Sequence, residues 1–190
     1  MDNFDYREAS KALGDRFPEG ALGRAWWQSL QEPRPNARSE WFPSPSNLRA
    51  AKTHFSVPRV FVSHKREDLA AAVDVANWVR ETGCYTWFDA ENLPGVGDPV
   101  LIAGIIEMAL LNSTHVIAVM TQRTLSSTWV PYEYGRVKAD LPHSDTAACW
   151  VPRDLLLPAY LYLGEVTRTK GGVQRWLRVQ RGMWPAIRDM

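Results

Sequence analysis

Cysteine is scarce: Cys84 and Cys149 are the only two in 190 residues. Both fall in apolar, strand-like runs, which predicts buried, reduced thiols and argues against a disulfide scaffold. With four scattered histidines the chain has no zinc-ligand spacing, and His64 beside Lys65 has no second ligand at a suitable separation. Charge of neither sign is in excess. The formal net charge of +1 creates no field that demands nucleic acid or an acidic partner. No apolar run approaches the roughly 18 residues that span a membrane, and the opening "MDNFDYREAS" lacks the basic and apolar segments of a signal peptide. Internal repeats are missing too. The expectation is a cytoplasmic protein with no membrane, metal or nucleic-acid partner.

What is present is ordinary globular material. Apolar residues make up 45% and charged residues 23%, in a length that suits one domain with extensions. Residues 1–55 read as an N-terminal extension. Leu22, Ala25, Trp26 and Leu30 form a short helical stripe, and "EPRPNARSEWFPSPSN" follows as an extended proline-rich connector. The core is expected at 56–165. "RVFVS" (59–63), "CYTWFD" (84–89), "HVIAVM" (115–120), "AACWV" (147–151) and "AYLYL" (159–163) read as strands. Between them "EDLAAAVDVANWVRETG" (67–83), "VLIAGIIEMALLN" (100–112) and "TWVPYEYGRVKAD" (128–140) read as helices. In the first of these, Leu69, Val73, Ala76 and Val79 supply the apolar stripe and Gly83 the stop. Residues 166–190 carry six Arg/Lys against one Asp. They read as a basic amphipathic helix packing on the core, with Val173, Trp176, Leu177, Gln180, Trp184 and Ile187 on its buried side. Arg175, Arg178 and Arg181 form a solvated face.

Alternating strands and helices mean βαβ units, a parallel sheet and a doubly wound α/β fold. In such folds ligands sit beyond the C-terminal strand ends. That rule selects three loops: "SHKRED", "DAENLPGVGDP" and "TQRTLSSTW". In the first, Ser63, His64, Lys65 and Arg66 suit phosphate and nucleotide binding beside a helix N-terminus; the plainer reading is a solvated basic loop with Asp68 capping the helix. The second contains "GVGDPV", which lacks the third glycine of a dinucleotide fingerprint and follows the wrong strand. The third leads into "SSTWVPYEYG". Hydroxyls precede the helix, Pro131 falls in its first turn, and Trp129 and Glu133 share a face. A carboxylate there is also favoured by the helix dipole alone.

In that order and spacing the motifs resemble the TIR (Toll/interleukin-1 receptor) domain over about residues 59–164. "VFVSHKRED" is similar to the family's first strand and loop. "FDAENLPGVGDPV" is similar to its second-strand end and BB loop. "LNSTHVIAVMTQRTLSSTWVPYE" is similar to its third strand and Ser-x-Trp-Cys-x-x-Glu box, with Val130 in place of the cysteine. The resemblance implies a flavodoxin-like five-stranded sheet of order 2-1-3-4-5. For stand-alone bacterial members it implies cleavage of NAD+ between nicotinamide and ribose, with NAD+ as substrate and no cofactor. Glu133 is then catalytic, and Ser63, His64, Lys65, Arg66, Asp89, Ser127 and Trp129 bind substrate. Leu93, Pro94, Gly95 and Gly97 belong to the BB loop, which closes the site and mediates self-association. Immune signalling with an upstream sensor or downstream effector is also implied. A non-enzymatic adaptor and a nucleoside deoxyribosyltransferase-like enzyme are the alternatives.

Overall fold

A computed structural model describes residues 55–88, 102–103, 106–107, 109–110, 112–140, 145–152 and 154–188. The N-terminal extension, apart from Phe55, and the second loop, with Asp89, Leu93, Pro94, Gly95 and Gly97, lie outside the described residues.

Five strands form one parallel sheet: β1 (Arg59–Ser63), β2 (Tyr85–Trp87), β3 (His115–Val119), β4 (Ala147–Trp150) and β5 (Glu165–Thr167). Their order is β2-β1-β3-β4-β5. The central strand β3 is buried at all five positions, because helices cover both faces of the sheet. The helices are α1 (Leu69–Arg80), α2 (helical residues 102–103, 106–107 and 109–110), α3 (Trp129–Asp140) and α4 (Lys170–Arg188).

The period of two in β1 divides the core. Val60 and Val62 face a cluster made with α1 and α4, including Val75, Val79, Val173, Trp176 and Leu177. Phe61 faces the opposite cluster, with Leu110 of α2 and Val130, Tyr134 and Val137 of α3. Ser63 follows Phe61 by two residues and therefore shares the α3 side. The buried stripe expected for α4 is found: Val173, Trp176, Leu177, Gln180 and Trp184 are all buried. The side chain of Ile187 lies outside the described residues. Cys84 and Cys149 are buried and free, as their surroundings predicted.

Several expectations are corrected. "AYLYL" is not a strand: Ala159–Leu163 is a short 3-10 helix in which Leu161 alone is buried, and Leu163 is 70% exposed. The fifth strand is Glu165–Thr167, paired with β4 through Ala148↔Glu165 and Trp150↔Thr167. Its start is set at Gly164, where a Cβ would lie 2.4 Å from the Ala147 carbonyl oxygen, so only glycine lets the chain enter beside β4. β5 also crosses the boundary drawn at 165, joining the last segment to the sheet. In α1 the buried stripe is Ala72, Val75, Ala76 and Val79, while Leu69 and Val73 are exposed. The first turns of α1 are apolar all round, so periodicity left the facing side open. Packing against both sheet and α4 chose the alanine side, where backbones approach closely. Asp68 occupies the N-cap position of α1 but makes no capping bond with its side chain.

Candidate functional site

The site is built from the C-terminal ends of β1 and β3 and the start of α3. Ser63, the last residue of β1, is fully buried and registered against Ala118 of β3. Just ahead of α3, Ser127 Oγ accepts a hydrogen bond of 3.3 Å from the Val130 N–H in its first turn. Because α3 starts at Trp129, Pro131 falls among the first-turn positions whose N–H would have no intrahelical acceptor. The core-facing stripe of α3 then reads Val130, Glu133, Tyr134, Val137, all buried. Glu133 is 5% exposed on this otherwise apolar stripe. A carboxylate in such a position needs a donor from across the interface. Ser63 supplies it, its Oγ donating to Glu133 Oε2 at 2.5 Å.

Trp129, one turn earlier, is 45% exposed, which rules out a role as core. Its ring meets Tyr132 edge-on at 5.9 Å, and the Tyr132 hydroxyl donates to Glu107 of α2. The two rings form an aromatic rim beside the buried carboxylate. On the β1 side, the His64 ring lies 5.0 Å from Phe88. Lys65 Nζ donates to Ser126 Oγ at 3.4 Å and pairs with Glu67 at 3.6 Å. Arg66 is exposed. The structure thus brings together Ser63 and Glu133 directly. It sets Ser127 and Trp129 at the head of the same helix and joins Lys65 to the Ser126 turn. Asp89 and the BB-loop residues lie outside the described residues.

Sequence reasoning missed the tie between the two loops. The Asp68 carboxylate, buried at 5% exposure, accepts bonds from Thr121 Oγ1 at 2.7 Å and Thr124 Oγ1 at 2.8 Å, with Arg123 Nη1 at 3.5 Å. The loop after β1 is thereby fixed to the loop after β3. Spacing alone made Asp68 a helix cap; the matching hydroxyls in "TQRT" were the only sequence signal. Phe88 and Tyr132 were missed for a similar reason, since Phe88 meets His64 and Tyr132 meets Glu107 across separate elements. Among the described residues no group of His, Cys, Asp and Glu is placed to hold a metal ion.

A five-stranded parallel α/β sheet with a buried carboxylate beyond its C-terminal edge defines the general class. Comparison narrows it: the profile of the TIR domain family matches residues 60–156, about half of the chain, and the protein belongs to that family. No curated protein matches. Among solved structures, a 2-deoxyribosyltransferase from Bacillus psychrosaccharolyticus is similar with a TM-score of 0.51 and 12% identity. The match covers 61% of this chain and 90% of that one, and is a likeness of fold. Among the described residues no helix is long and apolar enough to cross a membrane.

Proposed function

We propose that the protein is a TIR-domain NAD+ glycohydrolase or cyclase, with Glu133 as its catalytic carboxylate. The observation that carries this reading is the burial of Glu133 on the core-facing stripe of α3, at the ligand-binding edge of the sheet. An apolar residue there would serve stability better, so a carboxylate held by Ser63 points to chemistry.

The reaction needs only one carboxylate. Hydrolysis of an O-glycoside requires an acid to protonate the leaving oxygen. Nicotinamide departs from a pyridinium instead: the C1′–N bond breaks, its electron pair neutralises the ring, and no proton is needed. Glu133 accepts from the ribose hydroxyls and stabilises the oxocarbenium-like transition state by its charge. Water attack at C1′, with loss of a proton, gives ADP-ribose; attack by an adenine nitrogen of the same molecule gives a cyclic isomer. Trp129 walls the ribose and Ser127 holds the helix start that presents both. Lys65 and Arg66 meet the diphosphate. The surface pairing of Lys65 with Glu67 contributes at most about 1 kcal/mol, so it yields readily. His64 and Asp89 complete the substrate contacts.

TIR domains self-associate. In this reading assembly through the loop of Leu93, Pro94, Gly95 and Gly97 switches the enzyme on, so that cellular NAD+ is not drained at rest. The protein acts in the cytoplasm, in bacterial anti-phage immune signalling, between a sensor and either NAD+ loss or an effector that reads the product.

The test incubates concentrated protein with NAD+ and separates products by chromatography, beside Glu133→Ala. The parent releases nicotinamide; the variant loses at least about 100-fold in rate. Equal release by both removes the catalytic assignment. No release by assembled parent supports a scaffold, and base exchange on deoxyadenosine supports a deoxyribosyltransferase.

A further inference from the structure

Ser63 has a claim to a role other than substrate contact. It ends β1, is fully buried, and is held in register with Ala118 on the neighbouring strand. Its hydroxyl has one proton, and that proton goes to Glu133 Oε2 at 2.5 Å, 70 residues away in sequence. While this bond stands, Ser63 cannot donate to a ligand and keeps only acceptor capacity. The two partners sit on rigid elements, a strand end and a helix stripe, and a serine side chain loses little freedom when ordered.

We infer that Ser63 is a positioning residue: it pins one oxygen of the Glu133 carboxylate so that the group meets the ribose in a single orientation. This rests on the catalytic reading of Glu133. The loss of such a support changes the rate of the chemical step more than substrate affinity, because a misplaced group is felt most in the transition state.

The test combines steady-state kinetics of nicotinamide release with unfolding of Ser63→Ala, Glu133→Gln and the double variant in urea. Ser63→Ala is expected to lower kcat by 10- to 100-fold while KM stays within about twofold. The shifts in urea midpoint are expected to be non-additive, the double variant losing less than the sum of the singles, because either single variant already breaks the shared bond. A raised KM at unchanged kcat makes Ser63 a substrate contact and overturns the proposal. Unchanged kinetics, or additive midpoints, overturn it as well. If the parent releases no nicotinamide, the catalytic reading fails and the positioning role falls with it. The unfolding cycle then separately reports whether the Ser63–Glu133 contact exists.

Discussion

A glutamate among Val130, Tyr134 and Val137 is anomalous on stability grounds. The hydrogen bond from Ser63 offsets part of that cost. Trp129 is the opposite case, a large apolar ring left 45% exposed one turn away. Exposed aromatics beside a buried polar group suit a ligand that is partly apolar and partly hydroxylated. Trp129→Ala is therefore expected to raise KM for NAD+ on the order of tenfold, the worth of one aromatic contact. Folding should be nearly unaffected, within about 0.5 kcal/mol, since the side chain is largely outside the core. An unchanged KM would take Trp129 out of the site.

The joints between elements rest on single residues. The turn that follows α1 closes at Gly83, whose φ of +76° is left-handed. A Cβ there would also lie 2.6 Å from Arg181 Nη1, the group that donates to the Thr82 carbonyl at 2.7 Å. Gly83 thus both turns the chain out of α1 and seats α4. Gly83→Ala is expected to cost about 1–2 kcal/mol from the backbone conformation, and more where Arg181 is displaced. The urea midpoint measures this, and a midpoint equal to the parent's would show that neither effect operates. The 3-10 turn at "AYLYL" carries a related lesson. Aromatic and branched residues favour a pleated, half-buried surface, but pairing needs a path beside β4, and Gly164 opens that path three residues before Thr167.

The folding unit extends beyond the family match at 60–156. β5 and α4 lie after it, and α4 buries Val173, Trp176, Leu177 and Trp184 against the rest. Trp176 and Trp184 both meet the ring of His115 edge-on, and Trp184 Nε1 donates to the Phe55 carbonyl at 2.7 Å. The last helix therefore closes one face of the sheet and anchors the start of the domain. Burial raises the Cys149 thiol from 9.0 to about 12 and pushes Tyr134 up as well. Both groups are neutral when protonated. The folded state keeps these protons at pH values where the unfolded chain has released them. Stability is therefore full below about pH 9 and falls as pH rises towards 12. Urea midpoints at pH 7, 9 and 10.5 test this; Cys149→Ala should flatten the decline, and an unchanged slope in that variant would exclude the thiol as a source.

Alternation of apolar runs with helical periods was enough to specify a parallel doubly wound sheet, because those patterns follow from backbone geometry within each segment. The stripe of α4, the cap at Ser127 and the shared face of Trp129 and Glu133 were legible for the same reason. The facing side of α1, the identity of β5 and the partners of Asp68 were not. Each depends on a contact between segments 50 or more residues apart, or on a close approach that no local pattern encodes. The pairing of Ser63 with Glu133 belongs there too: sequence marked both residues, and only the packing of α3 on β1 made one the support of the other.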